Sequence, residues 1–227
     1  MLSTIVMLPF SALLSPPSWL PKIPWNPSTP PPTDAAATLL DALLEGESDS
    51  ALLKPLVDDL CAAEVPFNAA LLGDGELWRA VSIVTGETPR WQRNAELLPF
   101  LKNRAGQAYS LAGDGGTVIN YGEVLGRTLY FKAEGTFKPA AVASPRTRAR
   151  CPVDFNVAIS SGGFVVGGKE FTSSAISGPG YLRCLYIDEN LRIFESPKDS
   201  PDRWEEAGLV VVQVRDRLFA DAVEGDL

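Results

Sequence analysis

The sequence predicts a mainly β protein, in which an antiparallel barrel follows short helices and an extended proline-rich arm. Three observations lead to this prediction. Beyond Phe67 apolar residues alternate with a period of two, as in half-buried strands, and glycine-rich turns separate the alternating runs. Before Phe67 the sequence is first rich in proline and then helical in its pattern. An open sheet of this length would leave long unpaired edges, so closure into a barrel is favoured.

Residues 1–33 are expected to form the extended arm, or to be the remnant of a targeting sequence. The first 14 residues are apolar but too few to span a bilayer, and the first positive charge is Lys22. Proline recurs from residue 15 to residue 32, which excludes a helix, and Trp19 and Trp25 interrupt the run. This stretch is either a linker or an arm whose tryptophans dock into grooves of a partner.

Two short helices are predicted in residues 34–66. Thr33 and Asp34 offer a cap for the first helix and Gly46 a stop. Its apolar stripe consists of Leu39, Leu40, Leu43 and Leu44. The second helix is expected around Pro55 to Ala63, with one face made of Leu56, Val57, Leu60 and Cys61. Because Pro is tolerated in a first helical turn, Pro55 is placed there. Both stripes are expected to pack on the main domain.

Residues 67–216 form the predicted barrel, and residues 217–227 an acidic tail. Two strands are the clearest, and each places alternate residues on one face: Leu129, Phe131, Ala133, Gly135 and Phe137 in the first, and Val153, Phe155, Val157 and Ile159 in the second. Turns are expected at residues 113–116, 122–126, 161–163 and 167–168, where glycine recurs. A barrel of about eight strands is either filled by side chains or able to hold a small apolar ligand, and the sequence leaves both open.

The composition narrows the classes of function. With 28 acidic and 20 basic residues the chain has a net charge of -8, which argues against nucleic acid as the main partner. The chain has no histidine, which removes histidine-based catalytic triads, metal sites built from histidine and carboxylate, and the usual general base near neutral pH. The three cysteines, Cys61, Cys151 and Cys184, are too far apart for a metal-binding pair, and we expect free, mostly buried thiols. No metal site and no obligatory cofactor are predicted.

One basic cluster departs from this acidic balance. It contains Arg146, Arg148 and Arg150. The cluster is either a solvated loop or a contact for an anionic lipid headgroup or an acidic protein patch.

The stretch "GYLRCLYIDENLRIF" carries two adjacent carboxylates, Asp188 and Glu189. In a strand, neighbouring side chains point to opposite faces, which is poor geometry for a cooperating acid/base pair. "IDEN" is therefore interpreted as a hairpin turn between strands 181–187 and 191–195, in which Asp188 bonds the local backbone. Arg192 is expected to form a charged hydrogen bond to Asp188.

The sequence resembles the plastid lipid-associated proteins, also called plastid fibrillins, from about residue 38 to residue 215. The clearest match is the motif formed by Tyr186, Asp188, Leu191, Arg192 and Ile193. Further similar segments are the helix from Leu39 and the segments Gly75-Glu76-Leu77-Trp78-Arg79, Gln107-Ala108-Tyr109, Val118-Ile119-Asn120 and Gly135-Thr136-Phe137.

The resemblance implies a lipocalin-like barrel in a plastid, peripheral to thylakoids or plastoglobules. Its partners would be lipids or isoprenoids, among them quinones and carotenoids, and the membrane surface itself. The family offers no general set of catalytic residues. In a lipocalin-like barrel a tryptophan at the start of the first strand packs against an arginine near the closing strand, and Trp78 with Arg192 or Arg215 would play these parts.

We therefore expect a non-enzymatic protein that binds a lipid, quinone or carotenoid in its barrel. The expected interior residues are Trp78, Phe131, Phe137, Phe155, Tyr186 and Arg192. The alternative is a structural subunit or assembly factor of a photosystem or antenna complex, docked through Trp19 and Trp25. An enzyme that uses Asp188 and Glu189 ranks below both.

Overall fold

The computed structural model describes residues 34–85, 104–140, 149–196 and 208–219. Three helices come first: α1 (Asp34–Leu44), α2 (Ser50–Ala62) and α3 (Ala69–Leu72). The strands follow: β1 (Trp78–Thr85), β2 (Ala105–Ala112), β3 (Gly115–Leu125), β4 (Leu129–Pro139), β5 (Val153–Val166), β6 (Lys169–Ser173), β7 (Gly178–Ile187), β8 (Leu191–Ser196) and β9 (Leu209–Arg215). Within these ranges, no helix has the length and apolar character needed to cross a membrane.

The strands close into an antiparallel barrel. The pairing runs from β1 through β2, β3, β4, β5, β7, β8 and β9 back to β1, which makes a ring of eight strands. β6 pairs with β5 outside this ring. The prediction of a mainly β protein with short helices before a closed barrel is confirmed, and the architecture is consistent with a lipocalin-like barrel.

The helices cover one outer wall of the barrel. α1 buries Leu39 and Leu43 of its predicted stripe together with Ala36, whereas Leu40 and Leu44 are only partly buried. These residues share a cluster with outward-facing residues of β8 and β9, including Ile193 and Val212. The apolar stripe of α1 therefore finds its partner on the barrel rather than in solvent.

α2 corrects the prediction for the second helix. It begins at Ser50 rather than near Pro55, because the side chain of Asp49 caps it by accepting from the backbone N–H of Ala51. Pro55 consequently lies inside the helix and not in its first turn. The buried face consists of Leu53, Val57 and Leu60, while Leu56 and Cys61 are only partly buried. The short α3, which the sequence analysis did not predict, is capped by Asn68 in the same way.

β5 corrects a second prediction. Residues 161–163, expected to form a turn, lie inside this 14-residue strand. Gly163 serves close strand approach here, because a Cβ at this position would collide with the carbonyl oxygen of Phe171 on β6. Turns do occur at Gly113, at Gly126 and at Gly167-Gly168, where the backbone has positive φ. Residues 122–125 of the turn predicted at 122–126 still belong to β3.

A one-residue bulge at Ser160 divides β5 into two parts. Glu134 of β4 pairs with Ser161, whereas the next residue, Gly135, pairs with Ile159. Before the bulge β5 pairs with β7 on its other side, and beyond it β5 pairs with β6. The Ser160 hydroxyl donates to the carbonyl oxygen of Glu134 (3.0 Å). The bulge therefore marks the point where β5 leaves the barrel.

Candidate ligand site in the barrel interior

A row of hydrogen-bonded polar side chains crosses the barrel interior. It consists of Arg192 on β8, Gln213 on β9, Gln107 on β2 and Asn120 on β3, and we call it the polar belt. The belt follows from register, because Arg192 lies opposite Gln213 and Gln107 lies opposite Asn120. The Arg192 Nε donates to Gln213 Oε1 (2.7 Å), Gln213 Nε2 to Gln107 Oε1 (3.1 Å), and Gln107 Nε2 to Asn120 Oδ1 (2.9 Å).

Aromatic rings surround the guanidinium of Arg192. Its central carbon lies 4.7 Å from the ring centroid of Trp78, 5.0 Å from that of Tyr109 and 4.6 Å from that of Phe194. Such contacts place a cation against the negative faces of the rings. The aromatic lining continues through Phe137 to Phe155, with centroids 5.1 Å apart for Tyr109 and Phe137 and 5.8 Å apart for Phe137 and Phe155.

Arg192 is a fully buried cation without a carboxylate partner among the described residues. Burial lowers the pKa of Arg192 to about 9, so the guanidinium still carries its charge at neutral pH. In this part of the chain neither the Arg192 Nη1 nor the neighbouring Trp78 Nε1 has a hydrogen-bond partner. A buried donor without a partner costs about 1–3 kcal/mol, and an acceptor oxygen beside it removes that cost.

A second buried arginine shows the usual arrangement. Arg183 lies on the outer wall, where its Nε donates to Asp154 Oδ1 (2.7 Å) and its Nη1 to Glu195 Oε2 (3.3 Å). Two carboxylates thus compensate its charge. The interior site of Arg192 is different because its partners are neutral amide and carbonyl oxygens.

Trp78 contacts both arginines that the sequence analysis considered. The guanidinium carbon of Arg215 lies 3.8 Å from its ring centroid, on the side where Arg215 also pairs with Asp74 and Glu76. The Arg215 Nε donates to the carbonyl oxygen of Glu189 (2.9 Å). The expected packing of tryptophan against arginine is therefore present twice.

Tyr186 does not face the interior, so the prediction that placed it there is wrong. Cys184 pairs with Phe194 but Tyr186 pairs with Ile193, so Leu185 is an extra residue that inverts the alternation. Tyr186 packs in the cluster under the helices. Its hydroxyl donates to Asp188 Oδ2 (2.8 Å).

Asp188 works as a turn residue. Its Oδ1 accepts from the backbone N–H groups of Asn190 and Leu191, both at 2.7 Å. The interpretation of "IDEN" as a hairpin turn is confirmed. The expected bond from Arg192 to Asp188 is wrong, since the Arg192 side chain lies in the interior while Asp188 bonds to the turn.

The residues that carry the resemblance, from Tyr186 to Ile193, now have a structural explanation. Leu191 and Ile193 are buried under the helices, and Arg192 between them faces the interior, as alternation in a strand requires. Of the other residues predicted to face the interior, three lie in the interior cluster and one does not. Trp78, Phe137 and Phe155 belong to the interior cluster, whereas half-buried Phe131 packs in a small separate cluster with Tyr121 and Tyr130.

Other predicted contact residues lie away from this site. Trp19, Trp25, Arg146 and Arg148 lie outside the described residues, so docking through the arm stays a prediction. Arg150 is exposed and forms an isolated bridge with Pro66.

The sequence analysis missed the amide members of the polar belt and Tyr109. Gln107 and Tyr109 lie two residues apart in a strand and share its inner face. This spacing is the sequence signal that could have identified both as interior residues. Burial raises the pKa of the Tyr109 phenol, which keeps it neutral beside Arg192. The pairing of Gln213 with Arg192 depends on the register between β8 and β9, and no local pattern in the sequence predicts that register.

Comparisons with family models, with curated proteins and with solved structures gave no match to this chain.

Proposed function

We propose that this chain is a non-enzymatic lipid-binding protein of the kind of the plastid lipid-associated proteins, and that its barrel takes an apolar ligand bearing an oxygen acceptor. The observation that carries the proposal is the buried guanidinium of Arg192, which has aromatic neighbours inside a closed barrel and a donor with no partner among the described residues.

The chemistry of the interior favours some ligands over others. Aromatic rings such as Phe137 and Phe155 offer contact to an apolar chain or ring. The Arg192 Nη1 and Trp78 Nε1 groups, which have no partner among the described residues, offer bonds to oxygen. A carboxylate and a quinone carbonyl would both accept a hydrogen bond from Arg192. Only the carboxylate would also compensate its positive charge. A carotenoid without oxygen would leave both donors unpaired.

The direct test compares ligands that differ only at the head group. Binding of a long-chain fatty acid and of its methyl ester to the purified chain would be measured by competition with a fluorescent fatty acid. We expect the acid to bind at least about tenfold more tightly, because a charge-assisted hydrogen bond is worth about 1.5–3 kcal/mol. The affinity for a quinone is expected to lie between the affinity for the acid and that for a pure hydrocarbon.

The variant Arg192→Met tests which residue makes the difference. It should remove the preference for the acid while keeping binding of the ester, and Arg217→Met, at an exposed arginine, should leave both unchanged. Equal binding of acid and ester to the unaltered chain would contradict the proposed head group. A chain that binds none of these compounds, and carries no lipid when extracted and analysed by mass spectrometry, would contradict lipid binding.

The plastid address rests on the resemblance and is part of the proposal. Import of the full chain into isolated chloroplasts, followed by separation of stroma, thylakoids and plastoglobules, tests it. Recovery with the membranes or plastoglobules after import would support a peripheral position.

A further inference from the structure

Two neighbouring hairpins continue beyond the barrel as one sheet. We call them the hairpin extension, which comprises residues 122–134 of β3–β4 and residues 161–173 of β5–β6. β4 pairs with β5 through this region, and the N–H of Gly167 donates to the carbonyl oxygen of Thr128 (2.8 Å), so the two turns lie side by side.

The side chains of the extension form two apolar rows on one face. Residues directly opposite each other in neighbouring strands share a face. One row consists of Leu125, Leu129 and Val166, and the other of Phe131, Phe164 and Phe171.

This apolar face is open to solvent. The exposed fraction is 47% for Leu125, 47% for Phe164, 46% for Val166 and 63% for Phe171. Six large apolar residues in two adjacent rows form a contiguous patch, and contiguous exposed patches mark interaction sites.

The opposite face of the extension carries Tyr130 and the buried Val165 beside a group of charged residues. Lys132 forms salt bridges with Glu134 and Glu170, and the Lys132 Nζ lies 2.9 Å from Glu170 Oε1. These salt bridges therefore lie on the face opposite the exposed apolar rows, which leaves the apolar rows as the side for an apolar partner.

Basic residues stand at the tips of both hairpins, although the chain as a whole has a net charge of -8. Arg127 lies in the turn after β3 and Lys169 begins β6, and both are exposed. Exposed phenylalanines beside cations match the boundary of an anionic bilayer, where apolar rings enter the acyl region and cations meet headgroups. We propose that the apolar face of the hairpin extension docks on an anionic lipid surface.

Arg150 is an exposed cation away from the apolar face. Arg150 precedes β5 and the apolar face lies at the other end of that strand, roughly 40 Å of strand length away. Arg150→Gln is therefore a matched control for the cations at the hairpin tips.

The test uses the full chain and vesicles of phosphatidylcholine with or without phosphatidylglycerol. Bound protein would be measured by flotation. We expect binding to the anionic vesicles, and a loss of about tenfold or more in the double variant Phe164→Ser, Phe171→Ser, since each ring would no longer leave water. The double variant Arg127→Gln, Lys169→Gln should lose about fivefold per residue on anionic vesicles and little on neutral ones.

Several outcomes would overturn the proposal. They are absence of binding by the unaltered chain, unchanged binding by the serine variant with a normal unfolding temperature, and an equal loss in Arg150→Gln. Dimers of the unaltered chain that the serine variant abolishes, without any vesicle binding, would assign the face to a second copy instead. The inference is independent of what the interior binds, because Arg192→Met should float as the unaltered chain does.

Discussion

The barrel interior and the hairpin extension share strands β3, β4 and β5 but reverse the usual distribution of residues. On β4, Phe137 is buried inside the barrel, and on β5 Phe155 is 2% exposed while Phe164, beyond the bulge, is 47% exposed. The interior meanwhile encloses the cation of Arg192. The period of two is the same in both regions. Alternation therefore assigns a residue to a face, but closure decides whether that face is hidden from water.

The difference also separates two contributions of aromatic residues. In the interior they hold the fold together and surround a charge, so their loss should be measured as lost stability. On the extension they stabilise little in the free protein, so their loss should be measured in binding to a partner. The following four substitutions test this contrast.

The largest effect is expected at Trp78. Trp78→Ala removes a fully buried indole that two arginines contact, and it should lower the free energy of unfolding by about 3–5 kcal/mol. Urea denaturation followed by circular dichroism measures this. Trp78→Phe keeps a ring and should lower the free energy of unfolding clearly less. Equal losses in the two variants would show that the contacts between the arginines and the ring do not contribute to stability.

A smaller effect is expected at Glu123, where the extension joins the barrel. Burial alone would raise the pKa of Glu123, but hydrogen bonds from Arg104 and Tyr121 outweigh it and lower the pKa. Glu123→Gln should cost about 1.5–3 kcal/mol at neutral pH. Because the folded-state pKa lies below the ordinary value, this stabilisation is present above about pH 4.5 and is lost as the pH falls further.

Denaturation of both proteins across this pH range tests the sign. The two curves should converge as Glu123 becomes protonated. A difference that stays constant down to acid pH would mean that the carboxylate charge is not involved.

Arg192→Met should change the free energy of unfolding by less than about 2 kcal/mol. The substitution loses bonds to Gln213 and Gln107 but also removes a buried charge that no carboxylate of the described residues compensates, and these two effects oppose each other. Arg183→Met is the matched comparison, since it would leave Asp154 and Glu195 buried without their cation. A loss as large in Arg192→Met as in Arg183→Met would argue for a purely structural role of Arg192.

The smallest effect is expected at Phe171. Phe171→Ser lies on an exposed edge strand and should change the free energy of unfolding by less than about 0.5 kcal/mol. Thermal unfolding measures this directly. A large destabilisation would place the apolar face among the elements that hold the free protein together.

Much of the fold was accessible from the sequence because period and turn chemistry are local signals. The hairpin on either side of Asp188 was placed to within a few residues, and the interior positions of Phe137 and Phe155 followed from alternation. The position of Trp78 was expected from the resemblance to lipocalin-like barrels and not from alternation. Errors arose where a single residue changes the register. The bulge at Leu185 moves Tyr186 to the outer wall, and such a bulge leaves no distinct pattern in the sequence.

The polar belt was not accessible for a related reason. Gln107, Gln213 and Arg192 come from three strands, and their meeting depends on how those strands pair around the closed ring. Local pattern also failed at residues 161–163, where glycine permits two strands to approach and does not make a turn. Each of these features is set by tertiary contacts.

The bulge at Ser160 has a consequence for engineering. Because residues beyond it pair only with β4 and β6, the length of the extension is set separately from the circumference of the barrel. Removing two residues from each strand of the β5–β6 hairpin would preserve the alternation of faces and should leave the near-ultraviolet circular dichroism of the buried aromatic residues unchanged. The hairpin extension could thus be shortened, exchanged or fused to another segment without redesign of the barrel interior.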